Sequence, residues 1–112
     1  MDIAFSDQKL EKECNDQKLL LKRHGALRAK KLRNRLDDLA TVENLEEVRI
    51  LPQHRCHELH GDRAGQLSID LDHPYRLIFT PAHEPVPCKP DGGLDWKQVT
   101  AILILGIEDT HA

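Results

Sequence analysis

The stretch HELHGDRAGQ, His57 to Gln66, places two histidines three residues apart, followed by an arginine between two glycines. An imidazole has an unperturbed pKa of about 6.5, so His57 and His60 can each take up or release a proton near neutral pH. The guanidinium of Arg63 is permanently charged, and its forked donors match the oxygens of a phosphate or a carboxylate. Arg76 offers the same fork on the next apolar stretch. Proton transfer beside an anion is the chemistry these residue types support. Spacing restricts it. On a regular strand, side chains three apart point to opposite faces. His57 and His60 share one cleft only if the strand ends or bulges before Gly61.

A metal site is the other chemistry to weigh. His54, Cys56, His57 and His60 are crowded, and zinc accepts both ligand types. On a strand, however, His54, Cys56 and His60 share a face that excludes His57, and no second ligand pair has zinc-finger spacing. No metal is expected. Cys56 alternates with Glu58 and reads as structural, since nothing identifies a base for it. His54, His73 and His83 read as surface or hydrogen-bonded polar residues.

The bulk properties set the frame. A chain of 112 residues, 39% hydrophobic and 31% charged, is one globular domain, expected over 1–112. At this size only about two-thirds of the unfolded surface is buried, so the core is small. No apolar run reaches the roughly 18 residues of a membrane span. MDIAFSDQKL lacks a basic stretch followed by an apolar one, unlike a secretory signal. Three cysteines, Cys14, Cys56 and Cys88, form an odd set and read as free thiols in a reducing cytoplasm. The net charge of −3 is uninformative, but its distribution is not: Gln17 to Arg35 holds eight Lys or Arg and no acid. Such an element suits a polyanion or an acidic protein segment, or is simply a solvated helix face.

The elements that must position these residues follow from periodicity. Asp2 to Phe5 alternates and predicts a short strand. Ser6 is the expected N-cap of a helix over Asp7 to Cys14, and Asp16 caps a longer one to about Ala40. Ala29, Leu32, Leu36 and Leu39 form its buried stripe, with Gly25 a point of interruption. Thr41 to Val48 reads as a connector with at most a turn of helix. Leu67, Ile69 and Leu71 alternate with polar residues, as do Tyr75, Leu77 and Phe79 around Arg76; Asp72-His73-Pro74 turns between them. Residues 81–98 hold four of the six prolines and form a long loop, with Trp96 anchoring it to the core. Val99 to Ile107 is apolar on both faces and is expected at the centre of the sheet. Helices first, then mostly antiparallel strands, predict an α+β domain with the helices on one face of four or five strands.

Across this order the chain resembles the RelE/HigB-type toxins of bacterial type II toxin–antitoxin pairs, the plasmid maintenance system killer group. AKKLRNRLDDL (29–39), RCHELHGDRAGQLSIDL, HPYRLIF, DGGLDWKQVT and IEDTH carry the resemblance. It implies a small RelE/ParE-like fold in the cytoplasm that enters the ribosomal A site and cuts mRNA, needs no cofactor, and is neutralised by a cognate antitoxin. That antitoxin is expected to be a helix-turn-helix protein through which operator DNA is met indirectly. His57, Arg76 and His111 match the family's working residues, with Arg63 in the shared turn. His60 stands where relatives carry a lysine, which favours it for the site, and Thr110 where they carry a tyrosine. Such cleavage needs a base for the 2′-hydroxyl, an acid for the leaving 5′-oxygen and cations for the phosphorane. His57, His60 and His111 are the proton-transfer candidates, and Arg63 and Arg76 the phosphate ligands. Arg28, Lys30, Lys31, Arg33 and Arg35 would meet ribosomal RNA. The alternative on the same fold acts by binding alone, to antitoxin and operator or to another target such as gyrase.

Overall fold

Residues 1–109 are described by the structure, a computed structural model. The chain runs β1 (Asp2–Phe5), α1 (Gln8–Asn15), α2 (Gln17–Thr41), α3 (Leu45–Arg49), β2 (His57–Glu58), β3 (Leu67–Asp70), β4 (Tyr75–Pro81) and β5 (Ala101–Asp109). The strands form one sheet in the order β1-β5-β4-β3-β2. β1 is parallel to β5, and the other pairings are antiparallel. This is the expected α+β arrangement. No helix among the described residues is long and apolar enough to cross a membrane.

The helices cover one face because their apolar stripes have nowhere else to go. Ala29, Leu32, Leu36 and Leu39 of α2 are buried, as their spacing predicts, against Leu67, Ile69, Leu77, Phe79, Ile102 and Ile104 of the sheet. Each fully buried leucine contributes about 1.5–3 kcal/mol. Gly25 interrupts α2 with a left-handed φ of 80°, a conformation open to glycine. At the far end of α2 the Met1 ammonium donates to the carbonyls of Leu39 and Ala40 at 3.1 and 3.2 Å, placing a cation on the negative end of the helix. α3 begins with a reciprocal capping box between Asn44 and Glu47.

Three expectations shift. The first helix is capped by Asp7, not Ser6: the Asp7 carboxylate accepts from Leu10 N–H at 2.7 Å. Ser6 meanwhile extends the pairing of β1, its N–H donating to Ile104 at 2.9 Å. β5 is internal but not the middle strand, which is β4. Only one of its faces enters the core: Ile102 and Ile104 are buried, Leu103 and Leu105 partly exposed. In β3, Ser68 is as buried as its apolar neighbours, so the strand is not half-solvated as its alternation suggests.

The long loop is tied down as expected at Trp96. Its indole N–H donates to Glu58 Oε2 at 3.2 Å, and the Arg49 guanidinium lies 3.9 Å from the ring centroid. Glu58 is thereby held on the helix side, which leaves its neighbour His57 on the other face of β2.

Candidate active site

The face of the sheet away from the helices carries the ionisable cluster. Strand register puts His57, Ser68, Ile78 and Gly106 in one cross-strand row. Asp70, Arg76 and Glu108 form the next row. Ile78 is fully buried yet stands apart from the helix-side core. The turn over residues 61–66 explains this by folding back across the open face. Thr80 Oγ1 of β4 donates to the Gly65 carbonyl at 2.8 Å, and Arg63 reaches Glu108 on β5.

His57 is the best-defined group. Its Nδ1 lies 2.9 Å from the Arg55 carbonyl oxygen. A carbonyl only accepts, so Nδ1 carries a proton, and in the neutral form of the ring the lone pair is at Nε2. That nitrogen faces two donors, Ser68 Oγ and Arg76 Nη1, each at 3.5 Å. Arg76 in turn has its Nε 3.3 Å from Asp70 Oδ1, an ion pair outside hydrogen-bond geometry that leaves this oxygen without a hydrogen-bond partner. The two rows thus set a proton acceptor beside a permanent cation.

His60 and Arg63 are placed differently. β2 ends at Glu58, so no regular strand runs on to His60, and the parity conflict does not arise. His60 caps the turn Gly61–Arg63, its carbonyl accepting from Arg63 N–H at 3.2 Å; its ring is exposed and has no partner among the described residues. Arg63 binds Glu108 with both terminal nitrogens and also Gln66 Oε1 at 3.1 Å. The Glu108 hydrogen bond raises the guanidinium further above its ordinary range. As built, Arg63 straps the turn to β5. His111 lies outside the described residues, as does Thr110.

The basic helix divides likewise. Arg28 donates to both oxygens of Asp72 at 2.9 and 3.2 Å and sits 3.5 Å over the Tyr75 ring. Burial works against ionised Asp72, but the Arg28 hydrogen bond and charge outweigh it and hold the carboxyl below its usual range. Arg33 donates to the Cys14 carbonyl at 3.0 Å. Arg35 donates to the Asp70 carbonyl at 3.1 Å and the Gln53 carbonyl at 3.4 Å. These three, expected to face RNA, fasten α2 to the rest of the fold. Lys30 is exposed and Lys31 partly so, and neither makes a hydrogen bond or ion pair among the described residues.

The remaining candidates behave as inert groups. Burial pushes the Cys14 thiol up to about 11 and the Cys56 thiol up to about 12. Neither is a nucleophile near neutral pH. His83 accepts from Thr100 N–H at 3.0 Å. His54, expected at the surface or hydrogen-bonded, is fully buried with Nε2 3.0 Å from Asp38 Oδ2 but outside hydrogen-bond geometry. Among the described residues no three His, Cys, Asp or Glu side chains gather as a metal would need.

Sequence reasoning passed over Arg55, Ser68 and Asp70. The parity of β3 was the available signal for Ser68 and Asp70, since both fall opposite the core-facing Leu67 and Ile69. Nothing in the sequence marks Arg55.

Fold and site together define a small RelE-like α+β domain with an ionisable cluster on the uncovered face of its sheet. Residues 3–86 match the family described as RelE-like toxin of type II toxin-antitoxin system HigB. The match spans well over half of the chain, which therefore belongs to the HigB-like toxin family. His57, His60, Arg63 and Arg76 fall inside the matched span, whereas DGGLDWKQVT and IEDTH lie beyond it. A search of curated proteins gave no match. Membership implies a cognate antitoxin as partner.

Proposed function

We propose that this toxin is a ribosome-dependent endoribonuclease that cuts mRNA in the cytoplasm without a metal. The observation that carries the reading is His57, its Nδ1–H held by the Arg55 carbonyl at 2.9 Å and its Nε2 turned toward Ser68 and Arg76 at 3.5 Å. Nε2 takes the proton from a ribose 2′-hydroxyl. The 2′-oxygen attacks the adjacent phosphorus, the bond to the 5′-oxygen breaks, and a 2′,3′-cyclic phosphate and a 5′-hydroxyl result. Arg76 stabilises the charge that builds on the phosphorane oxygens. His60 or His111 returns a proton to the leaving 5′-oxygen. Arg63 holds the turn that carries His60 over this face. Lys30 and Lys31 supply docking charge toward ribosomal RNA, with Arg28, Arg33 and Arg35 setting the helix that presents them. A helix-turn-helix antitoxin covers the open face, and operator DNA is met only through it.

The test is to map mRNA 5′ ends in a cell-free translation reaction with wild type and His57→Ala, with and without ribosomes. New ends that need both translating ribosomes and His57 support the reading. Folded wild type that leaves the message intact overturns it in favour of action by binding. The Arg63–Glu108 pair lends that second reading its support, because it removes one of the expected phosphate ligands.

A further inference from the structure

A cleft of about 270 Å³ lies at the end of the open face, with Arg55, Asp70, Tyr75 and Arg76 among its walls. Arg55 is the unexpected member. Among the described residues it is the one non-glycine residue at positive φ, 48°. That left-handed region is unfavourable for a residue with a Cβ, and glycine or asparagine would occupy it with less strain. The backbone there presents its carbonyl to His57 Nδ1, a task any residue type would perform. Only the side chain uses the fact that this residue is arginine. Its side chain is 73% exposed, and its guanidinium meets Asp70 Oδ2 at 3.4 Å.

Charge bookkeeping around the cleft leaves a surplus. Among the described residues Arg55 and Arg76 share the Asp70 carboxylate, at 3.4 and 3.3 Å, two positive charges on one negative. Both contacts are longer than a good charge-assisted hydrogen bond, and both forks can turn toward an incoming anion. The Asp70–Arg76 row adjoins the Ser68–Ile78 row beside His57. The two rows are about 7 Å apart along the strands, the reach of one extended nucleotide.

We propose that Arg55 is a substrate-binding residue and that this cleft holds the phosphodiester next to the one that is cut, in single-stranded RNA. The proposal rests on the ribonuclease reading above. An RNA strand with its scissile phosphate at the His57 row, where Arg76 Nη1 reaches the imidazole, carries its next phosphate to the Asp70 row, where the Arg55 guanidinium waits. Arg55 also joins the subsite to the base: the same residue that grips the substrate fixes the tautomer of His57 through its carbonyl.

Arg55→Gly separates the two roles. It removes the guanidinium and keeps the left-handed backbone that presents the carbonyl; Arg55→Asn does the same should the glycine variant fold poorly. Programmed ribosomes would carry a short synthetic mRNA, either all-phosphate or with one uncharged methylphosphonate linkage on either side of the cut. Arg55→Gly is expected to lower kcat/KM about tenfold, mainly through KM. Wild type is expected to lose a similar factor on one of the two modified messages, and the variant to lose nothing further there. Unchanged cutting by the variant, or losses that multiply, would overturn the subsite and leave the ribonuclease reading standing. Folded wild type that cuts none of the messages would overturn both.

Discussion

Two sets of arginines in this small protein are put to opposite uses. On the helix layer, Arg28, Arg33 and Arg35 make hydrogen bonds at 2.9–3.2 Å to Asp72, the Cys14 carbonyl and the Asp70 carbonyl. Across the sheet, the contacts of Arg55 and Arg76 with Asp70 and His57 are all 3.3–3.5 Å. The first set lies within good hydrogen-bond range and the second beyond it. A guanidinium with its forks filled by the fold has little left to offer a ligand. One that shares a carboxylate loosely keeps both charge and donors available. Charge in the sequence therefore overstates the binding capacity of α2 and understates that of the open face. Arg63 shows that location alone does not decide: it lies on the open face, yet Glu108 locks it.

This contrast can be broken or sharpened by experiment. The largest effect is expected at His57. His57→Ala should slow mRNA cutting by about 10²–10⁴-fold, read as the rate at which new 5′ ends appear, with thermal unfolding unchanged because the ring is exposed. Arg76→Ala should follow at roughly 10²-fold, and Arg76→Lys should recover part of that loss by restoring charge without the fork. Arg28→Ala should do the reverse. It should cost about 1–3 kcal/mol of stability in urea unfolding and leave cutting per folded molecule unaltered. An Arg28 variant that is stable but inactive would invert the comparison.

A smaller effect should appear with pH. Burial first, and then the Arg35 charge, push the His54 imidazole below its ordinary value against the opposing pull of Asp38. The unfolded ring titrates near 6.5, so protonation favours the unfolded chain. Wild-type melting temperature should hold above about pH 6.5 and fall as the pH drops toward the lower folded value. His54→Gln should flatten that difference curve; parallel curves for the two proteins would show that His54 does not titrate on unfolding. The smallest change is expected from Lys30→Gln with Lys31→Gln. Ribosome affinity should weaken only modestly, and its slope against log salt should drop by less than one per lost phosphate contact. An unchanged slope would remove Lys30 and Lys31 from the docking surface.

The sequence by itself determined the elements that depend on local periodicity. The stripe Ala29, Leu32, Leu36, Leu39 is a helix face at any place in a fold, and the alternation through Tyr75 to Phe79 is a strand. The Asp16 cap and the interruption at Gly25 are equally local, and each was legible. HELHGDRAGQ also declared proton-transfer groups beside a cation. What it could not declare was which cations are free. That depends on pairs remote in sequence, Arg28 with Asp72, Arg63 with Glu108 and Arg55 with Asp70, and such pairs exist only once helix, turn and strand have been brought together. Strand length was likewise a tertiary outcome: two residues of β2 find partners on β3, Trp96 holds Glu58, and the chain then leaves the sheet. Ladder pairing and remote side-chain contacts decided the face and partner of each ionisable group, because neither leaves a period in the sequence.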